Sequence, residues 1–179
     1  MKKLLKKIYR FFLPHRTRSF WKYRRRILFS KGMQKLFKPF YSLKAQWILE
    51  KLNSSIPITE RVRPFQTPHG LRGIFISSGA RVGKGCTIFQ QVTIGSNTMR
   101  GSKKCGAPVI GERVYIGAGA KIIGGITIGN DVRIGANCIV TEDIPANSTV
   151  VMDKPRVITY DEPRDNTFVS WDEYRASLK

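Results

Sequence analysis

Residues 110–140 read IGERVYIGAGAKIIGGITIGNDVRIGANCIV, and a branched aliphatic residue returns in them every sixth position. Neither a helix, with its period near 3.6, nor a strand, with its period of 2, produces that spacing. Extended in both directions, the series is Ile76, Val82, Ile88 and Ile94, then, after a break, Ile110, Ile116, Ile122, Ile128, Ile134 and Val140. Six of these ten anchors are followed directly by glycine. Four residues after the anchors stand small or apolar side chains: Ala80, Cys86, Val92, Val114, Ala120, Ile126, Val132 and Cys138, with Thr98 the exception at the break.

A hexapeptide repeat of this kind is the sequence signature of a parallel β-helix. Each hexad supplies one short strand and one corner. The β-branched anchor points inward and suits a pleated surface. Glycine is expected to supply the corner's backbone angles. The step from Ile94 to Ile110 is read as two hexads plus four extra residues, placed within GSNTMRGSKKCGAP. Insertions in a solenoid become loops on one face, so residues 96–107 are expected to leave the coil and cover a site.

Charge divides the chain. It carries 32 Lys+Arg against 12 Asp+Glu, net +20, and residues 1–51 hold 16 of the bases with a single acid, Glu50. That leaves +15 on the arm and +5 on the remainder. The expected organisation is a basic, aromatic-rich helical arm over 1–53, a β-helix over 54–158 and a polar tail over 159–179. In the arm, Leu4, Leu5, Ile8, Phe11 and Phe12 fall at helical spacing among lysines. Three roles stay open for it: contact with an anionic membrane surface through residues 1–51, a cap that packs on the coil or on another subunit, and nucleic-acid binding, the least favoured. The opening MKKLLKKIYRFFLPHR interrupts its apolar residues with Lys6, Lys7 and Arg10 and is read as no signal peptide. No apolar run is long enough to span a membrane. Three cysteines without a C-x-x-C pair fit neither a disulfide framework nor a zinc knuckle, which points to a reduced, cytoplasmic setting, with any membrane contact peripheral and on the inner face.

The blocks PHGLRGIFISSGARVG, IFQQVTIGSN, APVIGERVYIGAGAKIIGGITIGNDVRIGANCIV and DKPRVI resemble the serine acetyltransferases of the hexapeptide acyltransferase superfamily, closest to a short variant subgroup. The resemblance runs from about Ile56 to Ile158. It implies a left-handed β-helix, a homotrimer with active sites between neighbouring prisms, acetyl-CoA as acyl donor along the groove, and no metal. His69, in TPHGLRG, matches the family's catalytic histidine, and an imidazole titrating near neutrality suits the base for a hydroxyl acceptor. The other histidine, His15, stands in the arm. Ala118 and Ala136 match positions that meet the pantetheine, and Arg133 a basic position in the same groove. Lys154 and Arg156 match the closing loop near the nucleotide, where cations favour phosphate. Gly95 would let the thioester carbonyl approach backbone amides.

Three family residues are missing. Ser54 stands near the aspartate that orients the histidine, Pro68 where an aspartate precedes it, and Ala107 where a second substrate-binding histidine is expected. These changes touch the acceptor side and leave the acetyl-CoA side intact. The acceptor is therefore L-serine or, alternatively, a sugar hydroxyl of a cell-surface polysaccharide. A different class, a non-catalytic β-helix scaffold or nucleic-acid binder using the arm, is the second alternative. Gln90 and Gln91 could reach the groove but cannot act as bases, because an amide takes no proton at neutral pH. Cys105 is assigned no covalent role, and Cys86 and Cys138 are read as small core residues. The tail lacks the terminal isoleucine with which family members dock cysteine synthase, so that partner is not expected.

Overall fold

Six-residue spacing becomes three faces. In the computed structural model, which describes residues 17–167 and 169–178, eleven short strands follow one another along the chain: β1 Phe75–Ile76, β2 Arg81–Val82, β3 Thr87–Ile88, β4 Thr93–Gly95, β5 Val109–Ile110, β6 Tyr115–Ile116, β7 Lys121–Ile123, β8 Thr127–Ile128, β9 Arg133–Ile134, β10 Ile139–Val140 and β11 Thr149–Val150. They form three sheets, ordered β1-β4-β7-β10, β2-β5-β8 and β3-β6-β9-β11. Every pairing between them is parallel. Each successive strand therefore turns onto the next face, and three hexads close one coil of a parallel β-helix. A further coil precedes β1, marked by isolated parallel bridges from Ser55, Val62 and Gln66 to Phe75, Val82 and Thr87.

All ten anchors are buried, and so are all eight residues four positions later from Ala80 to Cys138. Anchors stack in register, Ile76 on Ile94 on Ile122 on Val140 along one face. Each buried isoleucine contributes about 1.5–3 kcal/mol from area removed from water. Two sequence expectations need correction. Stacked anchors in uninterrupted coils are 18 residues apart, as Ile76 and Ile94 are, whereas Ile94 and Ile122 are 28 apart. The step from Ile94 to Ile110 is thus one hexad plus ten residues, not two hexads plus four, and the loop is larger than the spacing implied. The glycines after the anchors also serve a different purpose. None of those six has a positive φ. A Cβ on Gly117, for example, would lie 2.6 Å from the backbone nitrogen of Ala136 in the next coil. Those glycines permit close approach of coils, while the left-handed corners fall on other residues.

The N-terminal arm is helical where it is described. Helix α1 spans Thr17–Phe29, a 3-10 turn Gly32–Phe37 and helix α2 Lys38–Lys51, and the two helices pack against each other. Pro39 stands in the first turn of α2, where its missing N–H costs nothing. Phe20, Ala45, Ile48 and Leu49 are buried in the same cluster as the coil interior, so part of the arm is a packing cap. Residues 1–16, with the apolar series from Leu4 to Phe12 and His15, lie outside the described residues. After β11, residues 151–167 are exposed and without regular secondary structure, which leaves the expected boundary at 158 eight residues past the last strand. A short helix, α3 (Trp171–Ser177), follows; it is started by a capping box between Ser170 and Glu173 and buries none of its residues.

Candidate active site

His69 sits in a tight turn that its neighbours specify. The sequence Thr67-Pro68-His69-Gly70 closes with Gly70 N–H donating to the Thr67 carbonyl at 3.1 Å. Proline in the second position and glycine in the fourth are the residues such a turn favours, and Gly70 has φ +77°. The turn leaves the imidazole exposed beside the next coil. There its Nδ1 meets Oε1 of Gln90 at 2.8 Å. The ring of Phe89 supports it edge-on, with centroids 5.5 Å apart at 88°, and Phe89 in turn lies 5.1 Å from Tyr115.

The amide oxygen of Gln90 can only accept. In this contact Nδ1 therefore carries the proton, and Nε2 is the nitrogen with a free lone pair. That is the tautomer a general base needs. Gln90 is the contact partner of His69 that reading by motif passed over, being considered only as a base. A signal was available: with 18 residues per coil, position 90 stacks beneath position 72, just past the His69 turn, and Gln91 N–H indeed donates to the Arg72 carbonyl at 3.0 Å.

The same prism edge continues below His69. Gly119 N–H donates to the Gln90 carbonyl at 3.0 Å, and Asn137 N–H to the Ala118 carbonyl at 2.8 Å. Gly73, Gln91, Gly119 and Asn137 succeed one another at this corner with φ between +58° and +72°. The edge thus brings Gln90, Ala118 and Ala136 into one line, a coil per step, with the His69 turn at its head. Arg133, on β9, is paired in register with Tyr115 and stands exposed on the face that carries Tyr115. Ala118 and Ala136 put small side chains on the edge, and the exposed Arg133 places a cation on the adjoining face.

Other expected residues lie elsewhere. Gly95 ends β4 on the neighbouring face, where its carbonyl accepts from Gly124 N–H at 2.9 Å, at the mouth of the loop. Lys154 and Arg156 lie exposed beyond the last strand. Ser54 does not stand in for the absent aspartate: its hydroxyl bonds the carbonyls of Leu71 and Leu52, and its oxygen receives Ile74 N–H. The loop between β4 and β5 is closed at its base by paired Asn97 and Gly106 backbones, each bond 2.8 Å. Near its end Lys104 forms an ion pair with Asp143 at 2.6 Å. That ammonium, and secondarily Thr127 N–H at 2.7 Å, hold the Asp143 carboxyl below its ordinary pKa. Burial pushes the Cys86 thiol up, so it stays protonated and packs as a core residue. Cys105 is exposed in the loop.

The six-residue repeat and the parallel coils together define a hexapeptide-repeat β-helix. Residues 107–142 match the family described as bacterial transferase hexapeptide (six repeats). Over 99 residues the chain is 41% identical to the serine acetyltransferase of Mycobacterium tuberculosis, covering 55% of this chain and 42% of that protein. It is 42% identical over 93 residues to that of Helicobacter pylori, covering 52% and 53%. Among solved structures, serine acetyltransferase isoform 3 of Entamoeba histolytica, in complex with cysteine, superimposes with TM-score 0.56 at 34% identity over 69% of this chain and 44% of that one. The Neisseria gonorrhoeae serine acetyltransferase, in complex with serine, does so with TM-score 0.57 at 28% identity over 76% and 54%. This chain is therefore a hexapeptide-repeat protein similar in sequence and fold to the serine acetyltransferases, and its match spans about half the length of those relatives.

Proposed function

We propose that the protein is an acetyl-CoA-dependent serine O-acetyltransferase, with His69 as general base. The observation that carries this is the Nδ1 contact of His69 with Gln90 at the head of an edge lined by Ala118 and Ala136. In this reading the coil is left-handed and three prisms pair side by side, with acetyl-CoA lying in the groove between two of them. Outward side chains that would face a neighbour, such as Ile139, 72% exposed, and Phe75, 41% exposed, support association. The pantetheine would run past Ala118 and Ala136, with Arg133, and then Lys154 and Arg156 of the closing segment, near the nucleotide phosphates. Gly95 would admit the thioester side from the loop.

The chemistry follows from the tautomer. Nε2 takes the proton of the acceptor hydroxyl as its oxygen attacks the thioester carbonyl. The resulting tetrahedral oxyanion collapses with cleavage of the carbon–sulfur bond. The leaving sulfur recovers the proton from Nε2, which returns the imidazole to its starting state. Gln90 keeps the ring oriented throughout and stabilises the imidazolium less than a carboxylate would.

A second acceptor, a sugar hydroxyl of a surface polysaccharide, is favoured by one observation: Ser54, near the position of the family aspartate that orients the histidine, is engaged by backbone and leaves that carboxylate unreplaced. Thiol release from acetyl-CoA by the purified protein, with and without L-serine, separates the two. Serine-dependent release is expected. Bound acetyl-CoA with no response to serine would transfer the proposal to the sugar, and no acetyl-CoA binding at all would end it.

A further inference from the structure

We infer that the turn joining the two N-terminal helices is an insertion tip for an anionic lipid bilayer. The inference is independent of the transferase reading and rests on a contrast within the arm. At its base the arm is fixed to the first coil. Phe20 is fully buried, Trp21 packs edge-on against Phe65 with centroids 5.0 Å apart, and the buried Arg24 guanidinium donates to the carbonyls of Thr59 and Val62. The C-terminal half of α2 is held in the same way by Ala45, Ile48 and Leu49. Between these anchorages the apolar side chains turn outward. Phe29 is 53% exposed, Met33 81%, Leu36 76%, Phe37 57%, Phe40 42% and Leu43 66%. Both ends of the pair are attached to the coil, so this connecting turn is the part left to project.

Its charges select the partner. Lys31, Lys35 and Lys38 interleave with those side chains, and the arm from 17 to 49 contains no acid. A second copy meeting this tip would bring the same lysines with it. The rest of the chain is itself net positive at +5, so a sister subunit offers charge complementarity only through its short tail 159–179, where five acids stand against three bases. Protein interfaces also deplete lysine at their cores. Nucleic acid would match the lysines but leave Met33, Leu36 and Leu43 in water, since recognition of single strands relies on aromatic stacking. An anionic bilayer satisfies both sets at once. The apolar side chains enter the acyl boundary while the lysine stems reach back to the headgroups. Among the described residues no helix is long and apolar enough to cross a membrane, so the contact is one of insertion into a single leaflet.

The test is sedimentation of the full-length protein with phosphatidylcholine vesicles and with vesicles mixed with phosphatidylglycerol. Binding is expected with the mixed vesicles alone and should weaken as salt rises. The pair Leu36→Asp and Phe37→Asp should reduce it by about tenfold or more. The triple change Lys31→Gln, Lys35→Gln and Lys38→Gln should reduce it by about a hundredfold at low salt. All these side chains are exposed or half-buried, so thermal unfolding monitored by circular dichroism should be unchanged. Vesicle binding equal to that of the parent in the Asp pair would overturn the inference, whatever the basic N-terminal residues contribute. A loss of oligomer size in light scattering with vesicle binding retained would overturn it too, by making the tip a subunit contact.

Discussion

The interior of the prism and its His69 edge are built by the same chain under opposite constraints. Inside, every hexad presents an aliphatic residue, and stacked neighbours such as Ile116 and Ile134 are interchangeable because each answers the same packing demand. Along the edge, equivalent corner positions hold Gly73, Gln91, Gly119 and Asn137, which share a backbone conformation but alternate between no side chain and a polar amide. The interior repeats because the coil must close. The edge is free to vary once its φ is satisfied, and the proposed chemistry is placed there. If this division is real, substitutions on the edge should change rate without stability, and substitutions inside should change stability first.

The sharpest way to break the division is His69→Ala. The imidazole is exposed and makes one hydrogen bond, so the melting temperature should stay near that of the parent. The turnover rate should fall by about 10²- to 10⁴-fold, the usual contribution of a positioned base. A near-normal rate would remove His69 from the mechanism. The converse is Ile116→Ala. This side chain has no exposed surface, and truncating a buried isoleucine costs about 2–5 kcal/mol. Urea unfolding should show a lower midpoint, and the residual folded protein should retain the pH dependence of the parent's proposed activity. A changed pH profile there would mean that interior and edge are not separable.

Legibility in the sequence follows the same boundary. The six-residue period identified the inward column down to the small residues Ala80, Cys86 and Cys138, because a narrow interior constrains volume at each step. It also placed the loop, but not its size, since spacing alone cannot tell how many hexads a break contains; the parallel register does. His69 could be found from its motif, whereas its partner could not. The family's orienting aspartate has only Ser54 near its place, and the structure sets an amide beside the ring, 21 residues after His69. Contacts between coils depend on residues one circuit apart, which a local motif does not contain. The arm shows the same limit: Phe20 and Phe37 are alike in composition, but one fills the core and the other faces out.

Gln90 sharpens the comparison, since it is an edge residue argued to act only through another. Gln90→Ala should lower kcat by about tenfold, the worth of one neutral hydrogen bond, with little change in the KM for acetyl-CoA. Gln90→Glu is more informative. A carboxylate beside Nδ1 favours the charged imidazolium, so the acid limb of the rate profile should move to higher pH, by about one pH unit. A purely structural glutamine would leave that limb where it is.

The smallest effect is expected where the loop is tied to the coil. Asp143 accepts from Lys104 Nζ at 2.6 Å and from Thr127 N–H at 2.7 Å, and both favour its ionised form. Because the folded carboxyl lies below its ordinary pKa, the stability it adds is present above the usual carboxylate range and is lost as pH falls through the folded value. Asn at this position can still receive Thr127 N–H through its amide oxygen, so Asp143→Asn removes only the ion pair. Both partners are exposed and the pair is screened by salt. Asp143→Asn should therefore melt slightly below the parent at neutral pH and low salt. The difference should close on acidification, as the parent's carboxylate is protonated, and also on adding salt. A difference that persisted at low pH would assign the role of Asp143 to its shape rather than its charge. The loop would then be held by the same kind of packing constraint as the interior.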